Sequence, residues 1–271
     1  MTLVSTGWLN DNLNKVKIID ASWHLAKNRN AVEEYNKEHI KNAIFFDLDK
    51  NSNQKKDLPH GHFLPLISNH EKSISEMGIL NTDRIIIYCC SDLISSCRAW
   101  FQFIYFGHDP KLISILNGGM KKWKLEGRKI TSLKTKINPS KYKAKKNINM
   151  IKVKSQIVEN IKTKKFTVLD ARSKNRFMGL EPEPRSGVKN GSIKESKSLP
   201  ISELINTKNN TFLDKKNLKY IFNLKGINTN NVVMSCGSSV SASSLALAYS
   251  LINDDYMAKI YVGSWTEYGR K

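Results

Sequence analysis

Cys236 stands where a short apolar run ends. Val232-Val233-Met234 reads as a buried strand, and Cys236-Gly237-Ser238-Ser239-Val240-Ser241 breaks it with small residues. After the break, Leu245, Ala248, Leu251 and Ile252 recur at helical spacing. A cysteine between a parallel strand and a following helix sits where α/β sheets bind ligands. Loop N–H groups and the helix N-terminus favour negative charge there, which lowers a thiol pKa and makes a thiolate nucleophile available. The other reading of such a cysteine is a buried structural thiol. Elsewhere in the chain a polar loop, Asp49 to His62, carries His60 and His62.

The rest of the chain has to position these groups. Its 271 residues, 40% hydrophobic, suffice for one large or two ordinary globular domains. No apolar run approaches the ~18 residues of a spanning helix, and Met1 to Trp8 lacks the basic and apolar regions of a signal peptide. A cytoplasmic protein is expected. Cys89, Cys90, Cys97 and Cys236 form neither a Cys-x-x-Cys pair nor a Cys/His zinc pattern, and they fit a reducing compartment. The formal charge of +20 comes mostly from scattered Lys, since eight of the 44 basic residues are Arg. No basic stripe interleaved with aromatics is present, so a solvated surface is expected rather than a nucleic-acid interface, and the charge can still steer small anions.

Strand and helix patterns alternate along the chain, and then repeat. Phe166-Thr167-Val168-Leu169-Asp170-Ala171 echoes Ile18-Ile19-Asp20-Ala21; Asn231 to Ile252 echoes Arg84 to Ile104; Tyr261 to Tyr268 echoes Leu116 to Trp123. The offset drifts only from 150 residues (Asp20 to Asp170) to 145 (Gly118 to Gly263). Such a period predicts two tandem domains, residues 1–130 and 150–271, joined by a Lys-rich linker at 131–149. The loop at Cys89 has no glycine and carries Asp92, so the first domain is expected to be catalytically silent, with Cys90 and Cys97 incidental thiols.

These residues resemble the tandem-domain rhodanese family, and within it the 3-mercaptopyruvate sulfurtransferases. Tyr261-Val262-Gly263-Ser264-Trp265-Thr266-Glu267-Tyr268 is similar to the family's C-terminal signature. Asp170-Ala171-Arg172, Arg176-Phe177, Glu181-Pro182-Glu183-Pro184-Arg185, Asp20-Ala21-Ser22-Trp23 and Phe106-Gly107-His108-Asp109 also match family blocks. The implied fold is α/β: two tandem rhodanese-like domains, each a mostly parallel sheet with helices on both faces. The neutral loop Cys236-Gly237-Ser238-Ser239-Val240-Ser241 follows the mercaptopyruvate pattern, whereas thiosulfate enzymes carry loop cations. Ser239 replaces a glycine and would be strained if the position needs a positive φ.

The resemblance implies Cys236 as the persulfide-forming nucleophile. Arg176 and Arg185 would hold the pyruvate moiety, with Gly237, Ser239, Val240 and Ser241 shaping the anion site. A proton relay would join Ser238, a histidine and Asp49. His60 keeps the spacing from Asp49 and is the histidine expected, while His62 fits the sequence from its other side. Arg172 is expected in a structural ion pair. The implied donor is 3-mercaptopyruvate and the acceptor thioredoxin, a small thiol or cyanide, with no metal, organic cofactor, nucleic acid or membrane. The alternatives are a thiosulfate:cyanide sulfurtransferase and a non-catalytic persulfide carrier. A cysteine phosphatase needs Cys-x5-Arg, but Ala242 lies six residues after Cys236 and Ser96 six after Cys90.

Overall fold

The computed structural model describes residues 2–26, 28–55, 58–92, 94–227 and 230–270, with the backbone alone for 54, 55 and 58–60. It divides into two compact units. The first comprises Met1–Asn51, Pro65–Asn147 and Asn206–Phe212; the second comprises Ser52–Leu64, Ile148–Ile205 and Leu213–Lys271.

The first unit holds β1 (Leu3–Val4), β2 (Lys17–Asp20), β3 (Ala43–Phe45), β4 (Ile85–Tyr88) and β5 (Ile113–Leu116), all parallel in the order β1-β5-β4-β2-β3. The continuous burial of Ile-Ile-Ile-Tyr in β4 is what a central parallel strand covered on both faces requires. Val4, Leu9, Ile18, Ile86 and Trp123 form its core. The Lys-rich stretch expected to be a linker instead packs along this unit as an extended strap: Tyr142 is buried, and the N–H groups of Ser140 and Lys145 donate to the carbonyls of Ser75 and Phe106. Its lysines face out while its backbone and one aromatic face in, which a charge count does not reveal.

The second unit repeats the topology. Its strands β6 (Ile151–Lys152), β7 (Thr167–Asp170), β8 (Lys197–Ser198), β9 (Val232–Ser235) and β10 (Ile260–Tyr261) run parallel in the order β6-β10-β9-β7-β8. Renumbered from its own start, that is the order of the first unit. A hairpin, Asn53–Lys55 with Leu58–Phe63, also belongs here, although its sequence lies in the first half. No helix of the described residues is long and apolar enough to cross a membrane.

The two sheets end on equivalent aspartates with different surroundings. Asp170 is held by Arg172, whose Nη2 donates to it at 2.7 Å. Asp20 accepts instead from neutral groups, among them the N–H and hydroxyl of Ser22 at 3.0 and 2.5 Å. Burial raises its carboxyl to about 6, despite the opposing hydrogen bonds from Ser22 and Tyr88. The folded state therefore keeps the proton that the unfolded chain loses near pH 4. Asp20 contributes stability below that pH, and the contribution fades as pH rises to about 6. Two pKa units correspond to about 3 kcal/mol. Asp20→Asn should thus be more favourable near neutral pH than near pH 4 by about that amount, read as the difference in unfolding free energy by denaturant titration. An equal effect at both pH values would refute this.

Candidate active site

Cys236 follows β9 directly and precedes α9 (Val240–Ser250), at the carboxyl edge of the second sheet. Ser235 pairs in register with Asp170, so the loop after β9 and the Asp170-Ala171-Arg172 turn after β7 lie side by side. The backbone of the cysteine loop is held by the segment after β10. The Ser264 hydroxyl accepts from the N–H groups of Cys236 and Ser239 (3.3 and 3.1 Å) and donates to the Tyr261 carbonyl. Trp265 N–H donates to the Cys236 carbonyl, and the N–H and hydroxyl of Thr266 donate to that of Gly237. The loop's curvature is thus built by hydrogen bonds from α10 (Ser264–Tyr268). Ser264 and Thr266 stand in the C-terminal signature but have no chemistry of their own visible in the sequence.

Ser239 adopts φ 63°, ψ 3°, the left-handed region that favours glycine and costs a serine about 1 kcal/mol. Its N–H is satisfied by Ser264, and its hydroxyl lies 2.7 Å from the Ser238 carbonyl and 3.2 Å from that of His62. Val240 and Ser241 form the first turn of α9, both buried. α9 itself is buried from Val240 through Tyr249, so the fixed dipole at its start is screened from water.

Three arginines converge on this loop. Arg172 takes Asp170 with its Nε and Nη2 and Glu183 with its Nη1 at 2.6 Å. That is the structural ion pair expected of it. Arg176 sits on the short helix α7 (Lys174–Met178), capped by the Ser173 hydroxyl and stopped at Gly179. Its Nη2 donates to the other oxygen of Glu183 at 2.7 Å. Glu183 therefore bridges Arg172 and Arg176 with one carboxylate, a role that its place in the Glu-Pro-Glu-Pro-Arg run did not announce. Arg185 donates from Nη2 to the Ser238 hydroxyl at 2.7 Å. Burial pulls its pKa down, while Cys236 works in the opposite direction. Three guanidinium groups thus gather at this loop, with the carboxylates of Asp170 and Glu183 paired to Arg172 and Arg176, and such forks suit a carboxylate ligand.

Gly237 gives these side chains room. A Cβ there would come 2.8 Å from Arg185 Nη1 and 3.2 Å from Arg176 Nη2. Gly237→Ala should displace both guanidinium groups and lower kcat/KM by about 10–100-fold, the scale of an ångström's misplacement in an active site. The fold should survive, because the clash is with side-chain ends. Steady-state kinetics beside a thermal melt checks both halves of this expectation.

His62, from the hairpin, places Nδ1 2.8 Å from the Ser238 hydroxyl. Ser238 can accept from Arg185 and donate to His62 at once. The His60 side chain lies outside the described residues, and Asp49 belongs to the first unit, where it accepts from the Trp23 indole N–H at 3.2 and 3.3 Å. Spacing from Asp49 favours His60 in the sequence, yet His62 is the histidine found on Ser238.

A model of the rhodanese-like domain matches residues 5–126. Thiosulfate/3-mercaptopyruvate sulfurtransferase 2 of Arabidopsis thaliana is 34% identical over 98% of this chain and 83% of its own. The chain belongs to the rhodanese family of sulfurtransferases. Among its relatives, 3-mercaptopyruvate sulfurtransferase of Mus musculus is 33% identical, covering 98% of this chain and 91% of that protein. The crystal structure of SseA from Escherichia coli, described as a 3-mercaptopyruvate sulfotransferase of rhodanese fold, superposes with a TM-score of 0.85 at 26% identity, covering 98% of this chain and 99% of that one. The two parallel sheets are thus the two repeats of a tandem-domain rhodanese, and Cys236 lies in the second.

Proposed function

We propose that this sulfurtransferase takes its sulfur from 3-mercaptopyruvate through a persulfide on Cys236. The observation carrying this reading is the loop's charge pattern. Cys236-Gly237-Ser238-Ser239 holds no cation of its own, while the guanidinium groups of Arg176 and Arg185 lie beside it at Gly237. Guanidinium groups set back from the thiol suit a donor whose carboxylate is remote from its sulfur. Thiosulfate concentrates its charge next to the sulfur under attack.

The chemistry balances with groups of the second unit alone. Cys236 thiolate attacks the donor sulfur, an S–S bond forms, and the C–S bond breaks with its electron pair moving to carbon. The resulting enolate is stabilised by Arg176 and Arg185, and the loop N–H groups and the start of α9 favour the negative charge at the sulfur. The proton of the donor thiol passes through Ser238 and His62 to the carbon, releasing pyruvate. The outer persulfide sulfur then moves to a thiol, small or borne by a protein such as thioredoxin, or to cyanide as thiocyanate, restoring Cys236 thiolate. No cysteine among the described residues is in a disulfide, which suits a reducing compartment such as the cytoplasm.

The testing experiment compares kcat/KM for 3-mercaptopyruvate and thiosulfate, in the wild type and in Arg185→Ala. The wild type should prefer mercaptopyruvate. The variant should lose about 10–100-fold with that donor, the value of one charge-assisted hydrogen bond pair, and less with thiosulfate. A wild type that prefers thiosulfate would reverse the assignment.

A further inference from the structure

The equivalent edge of the first unit carries a different cluster. Cys90 follows β4 and lies against Ser22, which follows β2, as the cysteine loop and Arg172 follow β9 and β7 in the second unit. Around Cys90 the fold gathers His24 and, from α2 (Ala31–Lys37), Glu34. His24 Nε2 lies 3.1 Å from Glu34 Oε2; Cys90 Sγ lies 3.0 Å from that oxygen and 3.8 Å from His24 Nε2. A four-coordinate zinc ion with ordinary bond lengths separates its sulfur, nitrogen and oxygen ligands by about 3.4–3.6 Å. The three separations therefore match a tetrahedral face to within about 0.6 Å.

We propose that His24, Glu34 and Cys90 form a binding site for a thiophilic divalent cation such as zinc, with water as the fourth ligand. Binding forms S–M, N–M and O–M bonds and releases the Cys90 thiol proton to solvent. A thiolate, a carboxylate and a neutral imidazole bring the charge of a bound dication to zero. Arg29 is the competitor, since its Nη2 donates to Glu34 Oε2 at 2.7 Å. Its Nε, however, donates to the other oxygen at 2.8 Å, a bond compatible with coordination through Oε2. It would then hold the carboxylate as outer-sphere partners of metal ligands do. The Ser22 hydroxyl donates to Asp20 at 2.5 Å, accepts from the Cys90 N–H and lies 3.1 Å from Cys90 Sγ, where it would accept from a bound water as readily as from the thiol. Access exists: His24 and Arg29 line a cleft of about 650 Å³. Glu34 and Cys90 are half-buried, and the His24 side chain is 5% exposed. The ligand spacings of 10 and 56 residues resemble no zinc pattern, so a search of linear spacing passes over the site.

The test is a titration of the full-length reduced protein with Co²⁺. One equivalent should bind with a thiolate-to-cobalt charge-transfer band and the visible bands of a four-coordinate ion, with one proton released and Zn²⁺ displacing the cobalt. Cys90→Ser should abolish the charge-transfer band, and His24→Gln should weaken binding by about tenfold or more. Cys236→Ser should leave the band intact, which separates this site from the catalytic thiol. Should Cys90→Ser fail to fold by circular dichroism, His24→Gln carries the test. The proposal is overturned by the absence of a saturable thiolate band, by a band that survives Cys90→Ser, by one lost in Cys236→Ser, or by unweakened binding in a folded His24→Gln protein.

Discussion

Cys236→Ser is expected to lower pyruvate release from 3-mercaptopyruvate by roughly 10⁴-fold or more, the scale of deleting a nucleophile that acts as a unit with its neighbours. Intact-mass analysis after incubation with donor should show one added sulfur on the wild type and none on the variant. The loss should be chemical. The hydrogen bonds that hold Cys236 in this loop use its N–H and C=O, with Ser264 and Trp265 as partners. Serine keeps those contacts and fits the same space, so melting should change little. Cys90→Ser and Cys97→Ser should retain activity and the added sulfur. Turnover surviving in Cys236→Ser would place the nucleophile elsewhere.

The contrast between the two cysteine loops also accounts for what was legible beforehand. β4 and β9 are short, mostly apolar and wholly buried, and small or polar residues follow them, so local pattern suffices to find them and the cysteines that follow. The repeat offset predicted a duplicated sheet, and the two strand orders are the same. What pattern did not reveal is which segments fold with which sheet. The hairpin ending at Phe63 is coded in the first half and counted in the second unit, and Asn206–Phe212 goes the other way. Pairing at long sequence separation leaves no periodic trace. The Asn117 side chain, accepting from Phe212 N–H at 2.9 Å, is an example within the first unit.

The site was legible where chemistry is local to a side chain. Cys236, Arg176 and Arg185 announce themselves by type, and the structure brings all three to Gly237 and Ser238. Groups that act on other groups were less visible. Ser264 and Thr266 shape the loop through its backbone, and a hydroxyl's backbone partner cannot be read from its neighbours in sequence. The choice between His60 and His62 hinges on strand pairing. Glu183 is the most consequential of these, because a carboxylate between prolines reads as a solvated loop until the two arginines are placed around it.

Glu183→Gln makes that consequence measurable. The Glu183 side chain is buried, with both oxygens committed to Arg172 and Arg176. The amide keeps one acceptor and turns the other into a donor aimed at a guanidinium group. The substitution removes one negative charge from between Arg172 and Arg176. Arg172 keeps Asp170, so the burden falls on Arg176, which is ion-paired with Glu183. Breaking a buried pair on one side costs about 3–5 kcal/mol, and denaturant unfolding should show a loss of that size. Anions should partly restore the variant, because a bound carboxylate replaces the missing charge: pyruvate at saturating concentration should raise its Tm more than that of the wild type. In kinetics the loosened Arg176 should raise KM for 3-mercaptopyruvate more than it lowers kcat. A Glu183→Gln protein with wild-type stability and KM would show that Arg176 is positioned by something other than this carboxylate.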